Sequence, residues 1–318
     1  MKLDFVTLDV FTRHRFGGNP LAVVFDPQAA LDTATMQTIA REFNLSETSF
    51  VRPAREAGAD AEVRIFTPAT EMPWAGHPNV GTAWALTQRP GVRPSVPGIW
   101  RFDEGAGLVT VEVDSADGEP VEARVTAPRA LERRAGPGIA DAARCIGLAP
   151  DDLVAPAGGR IDVASVGFPF PMVEVRRREA LRLARPDLAT MSQVLPPLGL
   201  DGVIVFSREP EAADHAAFGP VCEADLSVRM FAPLIGVLED PATGAGVAGL
   251  AALLADLPSR ARMSPEPTRL WRVAQGVDMG RPSAIVARVT QHTGQPSRVT
   301  VGGACVAVMQ GRLHVAAA

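Results

Sequence analysis

Apolar and polar residues alternate over residues 3–11, which is the pattern of a β-strand with one buried face. The glycine- and proline-containing turn at 15–20 separates this segment from the apolar run at 21–25, so the two predict a β-hairpin. Apolar side chains then recur at helical spacing over 33–43, which predicts an amphipathic helix. Strands are expected after it at 48–51, 61–66, 98–102, 108–113 and 121–125.

The charged stretch 127–135 runs into a Gly-Pro-Gly segment at 136–138, and together they predict a linker. A second series of elements follows it. Helices are expected at 139–146, 178–184 and 246–255, and strands at 161–166, 172–175, 202–206, 226–231, 283–289, 297–301 and 304–309.

The two series resemble each other. The pattern R-x-F-x-P occurs at 64–68 and again at 229–233, 165 residues later, and Gly81 and Gly246 have the same separation. Each copy places a strand before a glycine-rich turn and a helix of small residues. We interpret this as an internal duplication that gives two similar α/β domains, and clefts between domains are favoured ligand sites.

Composition limits the class of protein. The 318 residues suit about two domains of roughly 150 residues each, and 47% hydrophobic residues with a net charge of −5 exclude a disordered chain. No apolar run approaches the roughly 18–20 residues of a membrane span, and the absence of basic runs argues against nucleic acid as a partner. The three scattered cysteines fit neither a disulfide framework nor a metal site, so we expect a cytoplasmic protein.

Missing residue types and motifs exclude several reactions. The sole lysine is Lys2 and tyrosine is absent, which removes P-loop chemistry, lysine Schiff bases and tyrosine acids. The chain has no G-x-S-x-G elbow, and its Gly105-Ala106-Gly107 is not followed by a predicted helix as a dinucleotide fold would require.

Two loops open predicted helices with Gly, Pro and a residue of capping type. They lie at 75–81, with Asn79, and at 239–246, with Thr243. Free backbone N–H groups and the helix dipole make such places suitable for an anion, which here points to a carboxylate. The alternative is that Gly and Pro only make tight turns, and it weakens because the loops also carry His77 and Asp240.

Two titratable residues are candidates for proton transfer. Among five histidines, His77 stands at a predicted helix start, where a general acid or base could act, although a lone histidine is more often structural. Glu47 lies at the mouth of a predicted strand beside apolar neighbours, and partial desolvation there would suit proton abstraction. A solvated glutamate in a turn is the plainer alternative.

At this point the sequence resembles a known family, that of the PhzF-type phenazine-biosynthesis-like proteins. Six segments carry the resemblance in chain order: 9–24, N-L-S-E-T-S-F at 44–50, 66–78, 239–246, 275–283 and Val-Gly-Gly at 301–303. The resemblance implies an α/β (α+β) fold like that of diaminopimelate epimerase, with two pseudo-equivalent domains that each wrap a twisted, barrel-like sheet around a central helix. It places an N-terminal domain at 1–128, completed by 302–318, and a C-terminal domain at 129–301, with the active site in the cleft.

The resemblance also implies an activity. The family's type member isomerises a dihydro-hydroxyanthranilic acid by moving a proton, without cofactor or metal. Its catalytic residues map onto Glu47, His77 and Asp240. Its substrate-binding positions map onto Gly76 and, as a cradle for the substrate carboxylate, Gly244, Ala245 and Gly246. A homodimer is expected from the family alone.

One departure from the family stands at Ala245, where serine is common, so the substrate of this chain is open. The leading hypothesis is an isomerase acting on a small carboxylate-bearing molecule. The alternatives are a non-catalytic binder of such molecules and an amino-acid epimerase. The epimerase could not use the two-cysteine mechanism of related racemases, because Cys145, Cys222 and Cys305 all lie away from the two loops.

Overall fold

The computed structural model describes residues 1–116, 119–219, 223–257, 268–292 and 295–315. The strands are β1 Lys2–Val10, β2 Asn19–Phe25, β3 Glu47–Arg52, β4 Ala61–Phe66, β5 Glu71–Met72, β6 Ile99–Glu104, β7 Gly107–Ala116, β8 Glu119–Thr126, β9 Glu132–Gly138, β10 Arg160–Ser165, β11 Pro169–Glu174, β12 Val203–Ser207, β13 Leu226–Ala232, β14 Val237–Asp240, β15 Thr268–Gln275, β16 Ser283–His292, β17 Gln295–Gly303 and β18 Cys305–His314. The helices are α1 Thr33–Phe43, α2 Gly76–Thr87, α3 Ile139–Cys145, α4 Arg178–Leu183, α5 Leu188–Val194, α6 Ala212–Ala216 and α7 Gly244–Asp256.

The chain divides into two compact units, one formed by residues 1–126 with 302–318 and the other by 127–301. The domain limits predicted from the sequence, 1–128 with 302–318 and 129–301, differ from this division by two residues. Among the described helices, none has the length and apolar character needed to cross a membrane.

In the first unit the strands form one curved sheet around α2. The pairings run β18–β1–β2–β3–β4–β6–β7–β8, with β2–β3 and β4–β6 parallel and the others antiparallel. Helix α2 contacts β1, β2 and β3 towards one end of this order and β7 and β8 at the other end. Because it touches both ends of the run, the sheet must wrap around the helix.

The central helix has no solvent face. Every residue from Gly76 to Leu86 is buried, and a helix that is apolar on all sides belongs in a core. Gly81 is needed for this packing, because a Cβ there would lie 2.6 Å from Leu21 and 2.8 Å from Val10. The glycine therefore lets helix and sheet approach more closely than a side chain would allow.

The second unit repeats the same topology around α7. Its sheet runs β9–β10–β11–β12–β13–β15–β16, with β11–β12 and β13–β15 parallel, as β2–β3 and β4–β6 are in the first unit. Helix α7 contacts β10, β11, β15 and β16, and a Cβ on Gly246 would lie 2.6 Å from Ile204. The predicted fold class, two similar α/β units with a sheet around a central helix, is confirmed.

The repeated R-x-F-x-P pattern has a structural explanation. In the first unit Arg64 forms a two-fold ion pair with Glu71 at 2.7 and 2.6 Å and lies over the Phe66 ring. In the second unit Arg229 pairs with Glu239 at 2.8 and 2.7 Å and lies over Phe231. Each arginine thus ties the strand before the central helix to the short strand that follows.

Two predictions of local structure are wrong. The linker expected over 127–138 contains β9, whose polar residues pair with β10 and whose Arg133 binds Asp162 at 2.9 and 3.0 Å. Close packing requires glycine at 136, because a Cβ at this position would lie 2.8 Å from the Ile161 carbonyl oxygen. Asn79 does not cap α2, because the helix begins earlier and its N-cap is Ala75.

Candidate active site

Glu47 and His77 meet at the beginning of two parallel strands in the first unit. Glu47 opens β3 and pairs with Leu21 of β2, while His77 is the second residue of α2. The His77 Nε2 lies 3.3 Å from Glu47 Oε2, and the two side chains are 5% and 18% exposed. The structure therefore brings together two residues that the sequence had placed on separate elements.

The buried imidazole of His77 is held neutral. Desolvation lowers the pKa of His77 to about 3, against a smaller opposing effect of a hydrogen bond to the Pro20 backbone. Since proline has no N–H, the imidazole donates to the Pro20 carbonyl. Nε2 makes no hydrogen bond among the described residues, so we assign the proton to Nδ1. With this tautomer the Nε2 lone pair is on the side of Glu47.

The start of α2 offers backbone N–H groups. Its N-cap Ala75 has no side-chain acceptor, so the first N–H groups of the helix, including those of Gly76 and His77, have no partner within the helix. Asn79, one turn along, donates to the Ala75 carbonyl at 2.9 Å and to Glu104 Oε2 at 3.3 Å. Both side chains are buried, so Glu104 at the end of β6 is joined to the first turn of the helix.

Glu104 is a second buried titratable group beside this helix start. Burial raises the pKa of Glu104 well above its ordinary value, the hydrogen bond from Asn79 opposes this, and the neighbouring Asp103 adds to it. The surroundings of this carboxyl group therefore favour its protonated form. Glu104 could not be found from the sequence, since nothing local marks a strand-end glutamate as buried.

The remaining predicted site residues belong to the second unit. Asp240 ends β14 and accepts a hydrogen bond of 2.6 Å from the Thr243 hydroxyl. Thr243 is the N-cap of α7, as its position suggested, but its side chain does not cap the helix. Gln275 at the end of β15, which the sequence analysis did not single out, binds the Thr243 backbone N–H at 3.0 Å.

Helix α7 begins with three small residues, Gly244, Ala245 and Gly246. The first hydrogen bond of the helix runs from the Val247 N–H to the Thr243 carbonyl, so the preceding three N–H groups have no partner inside the helix. Ala245 is half-buried between buried glycines. Such a row of N–H groups at the positive end of a helix suits a carboxylate.

The two described cysteines belong to other elements than these loops. Cys145 is buried at the end of α3, where burial raises the pKa of the thiol to about 11, and Cys305 is buried at the start of β18 with its pKa also raised. Cys222 lies outside the described residues. The two described thiols are thus poor nucleophiles and poor bases.

The His77 imidazole should stay neutral over the working range of the protein. In ¹³C or ¹⁵N NMR spectra of histidine-labelled protein, we expect its resonances to show no protonation between pH 8 and about pH 4, because protonation must wait for the lowered pKa. The spectrum of His77→Gln identifies the signal. Since the folded pKa is depressed from 6.5, the stability contributed by the neutral ring is complete above pH 6.5 and is lost as pH falls towards 3. Titration of this resonance near pH 6.5 would contradict the assignment.

Glu104→Gln should reduce the loss of folding stability that accompanies a rise in pH. The raised folded pKa means that neutral Glu104 contributes fully below the unfolded value of 4.5 and that this contribution is lost as pH rises. Between the unfolded and the folded pKa, the free energy of unfolding falls by at most about 1.4 kcal/mol per pH unit through this group. Denaturant unfolding at pH 5 and pH 8 should show a smaller loss for Glu104→Gln than for the wild type. Glu132→Gln on exposed β9 should behave as the wild type, and equal pH profiles for all three proteins would show that Glu104 is ionised.

Comparison with known proteins places the chain in a family. The chain matches the family model of phenazine biosynthesis-like proteins, PhzC-PhzF, over residues 8–311. It is 37% identical to an uncharacterized isomerase of Mesorhizobium japonicum, covering 98% of this chain and 99% of that protein. It is 33% identical to the trans-2,3-dihydro-3-hydroxyanthranilate isomerase of Pseudomonas aeruginosa, again over 98% and 99%.

A solved structure shows the same fold. The phenazine biosynthesis protein of the PhzF family from Bacillus anthracis superposes with a TM-score of 0.84 at 22% identity, covering 99% of this chain and all of that one. The fold, the family match over nearly the whole sequence and the two related isomerases point the same way. The chain is an isomerase of the phenazine biosynthesis-like protein family, PhzC-PhzF.

Proposed function

We propose that this isomerase works without a cofactor, and that Glu47 takes a proton from a small carboxylate-bearing substrate and returns it to another position of the same molecule. The observation that carries the proposal is the pairing of a partly exposed carboxyl group with a buried, neutral imidazole at 3.3 Å. A general base needs access to its substrate and a neighbour that responds to its change of protonation. Glu47 has both.

The neutral His77 supports a single group acting first as base and then as acid. Its Nδ1–H is committed to Pro20, which leaves Nε2 as an acceptor towards Glu47. Once Glu47 has taken a proton, its O–H can donate to Nε2 after a small rotation. The imidazole would thereby stabilise the protonated carboxylic acid until the proton returns to the substrate, without itself becoming charged.

Helix-terminal N–H groups would bind the acid group of the substrate. In this proposal the N–H groups of Gly244, Ala245 and Gly246 hold the carboxylate, and Asp240 positions the substrate or relays a proton. Gly76 would contribute its N–H in the same way from the start of α2. Each of these roles relies on helix-terminal donors that have no partner inside the helix.

The name of the related enzyme of Pseudomonas aeruginosa indicates a compound with which the proposal can be tested. Its name gives trans-2,3-dihydro-3-hydroxyanthranilate as its substrate. We propose that a cyclic, unsaturated acid of this class is isomerised here too. Ala245 is the position most suited to change the choice among such acids, because its half-buried side chain lies in the proposed carboxylate cradle.

A second candidate, a binding protein without catalysis, is favoured by one observation. Where the family commonly has serine, Ala245 removes a hydroxyl that could bind a substrate or pass on a proton. An epimerase that uses two thiols is disfavoured, because both described cysteines are buried and belong to α3 and β18, not to the beginning of α2 or α7.

Glu47→Gln should abolish the reaction while leaving binding intact, since the amide keeps the shape and removes the basicity. With trans-2,3-dihydro-3-hydroxyanthranilate in D₂O, we expect deuterium incorporation to fall by about 10²-fold or more. Mass spectrometry follows incorporation, and calorimetry follows binding. Glu42→Gln on exposed α1 is the matched control. Undiminished exchange in Glu47→Gln would remove Glu47 from the mechanism, whereas binding without exchange by the wild type would favour the second candidate.

Ala245→Ser should alter substrate preference more than stability. The side chain is half-buried and the change adds a single oxygen atom, so the melting temperature should change by no more than about 2 °C. We expect kcat/KM for trans-2,3-dihydro-3-hydroxyanthranilate to rise relative to that for other small cyclic acids. A kcat/KM ratio equal to that of the wild type would show that position 245 does not govern substrate choice.

A further inference from the structure

The side chain of Gln275 is fully buried at the end of β15 and makes three hydrogen bonds to one short loop. Its Oε1 accepts from the Thr243 backbone N–H at 3.0 Å. Its Nε2 donates to the Asp240 carbonyl at 2.8 Å and to Thr243 Oγ1 at 3.0 Å. One amide group therefore uses its acceptor and both of its donor hydrogens on the segment between β14 and α7.

These bonds fix the direction of the Thr243 hydroxyl. Because Oγ1 accepts from Gln275, its single hydrogen is free to point elsewhere, and it points to Asp240 Oδ2 at 2.6 Å. A carboxylate that accepts such a bond is restrained in its rotamer. The chain of contacts runs from Gln275 through Thr243 to Asp240.

The same loop is also fixed at a point that does not touch this chain of contacts. The Ser283 hydroxyl donates to the Pro241 carbonyl at 2.9 Å, and Ser283 is fully buried. Gly276 lies against Pro241 as well, since a Cβ there would be 2.7 Å from the Pro241 carbonyl oxygen. Ser283 therefore provides a control, because its loss would loosen the loop without removing a bond to the Asp240 carboxylate.

The first unit contains a corresponding contact between the end of a strand and the beginning of the central helix. Glu104 ends β6, the strand that follows α2 as β15 follows α7, and its carboxyl group accepts from Asn79 in the first turn of the helix. In both units a buried polar side chain at the end of this strand binds the beginning of the central helix. The recurrence after duplication indicates that this contact serves the helix start and the loop before it.

We propose that Gln275 is a positioning residue, which orients the Thr243 hydroxyl so that it holds the Asp240 carboxylate in the geometry used in the reaction. The inference rests on the proposed function, because it assumes that Asp240 acts on the substrate. It adds to that function two residues, Gln275 and Thr243, that do not themselves touch the reacting atoms.

The proposed positioning role requires the two donor hydrogens of the Gln275 side-chain amide. Gln275→Glu keeps the size of the side chain, but a carboxyl group cannot make both donations, since it has no hydrogen to donate when ionised and only one when protonated. Where the Thr243 hydroxyl loses its donor, its hydrogen can turn to the new carboxyl group and away from Asp240. Thr243→Val removes the hydroxyl at constant shape, and Thr243→Ser restores it.

The test compares Thr243→Val, Thr243→Ser, Gln275→Glu, Ser283→Ala and Asp240→Asn in the full chain. Crystal structures report the orientation of the Asp240 carboxylate whether or not the probe reacts. Deuterium exchange with trans-2,3-dihydro-3-hydroxyanthranilate gives kcat and KM, and thermal unfolding gives the melting temperature of each variant.

We expect the Asp240 carboxylate to leave its position in Thr243→Val and Gln275→Glu and to keep it in Thr243→Ser and Ser283→Ala. In the first two variants kcat should fall about tenfold or more, towards the value of Asp240→Asn, with a smaller change in KM. Thr243→Ser should recover most of kcat. Ser283→Ala should lower the melting temperature by at least as much as Thr243→Val and reduce kcat much less.

Two results would overturn the inference: an unmoved Asp240 carboxylate in both Thr243→Val and Gln275→Glu, or a loss of kcat in Ser283→Ala as large as that in Thr243→Val. If the carboxylate moves as expected while Asp240→Asn exchanges as fast as the wild type, the positioning is supported. The proposed role of Asp240 in the reaction then fails.

Discussion

Burial of the central helix on every side is the constraint on which the rest of each unit depends. From Gly76 to Leu86, α2 presents no residue to solvent, so the sheet must surround it and the glycine at 81 must admit the sheet closely. A helix in this position cannot leave its first N–H groups to bulk water as a surface helix does. Polar residues therefore gather where it begins, and among them are His77 and Asn79.

The same constraint explains why polar side chains lie at the beginning of both central helices although the units have diverged. In each, the strand after the helix ends on a buried polar group that contacts the first turn or the N-cap. In each, an arginine ties the preceding strand to the next short strand through a glutamate. The framework was kept after duplication, while His77 is found only in the first copy and the bond from Thr243 to an aspartate only in the second, within the described residues.

Much of this architecture could be predicted from local sequence. The apolar spacing placed α1 at its observed limits, and the R-x-F-x-P repeat indicated two similar units because each pattern fixes a contact within a few residues. The resemblance to a family pointed to Glu47 and His77. Segment 132–138 was misread because its exposed charged residues and glycines look like a linker, although cross-strand pairing with β10 makes it a strand.

The contacts that the sequence could not predict are those made across the sheet. Asn79 and Glu104 are 25 residues apart, and Thr243 and Gln275 are 32 apart, so only the order of the strands brings them together. Asn79 looked like a cap because Asn is common there, whereas the helix begins at Gly76 and Asn79 reaches back to the N-cap carbonyl.

The neutrality of His77 has a consequence for how a proton would travel in the first unit. Because the imidazole is held unprotonated, it would keep its charge when, in the proposed reaction, Glu47 gains or loses a proton. Of these two groups, Glu47 alone would then carry the proton in transit. The fraction of a label that returns to the same substrate molecule would therefore measure how well the Glu47 carboxyl group is shielded from water.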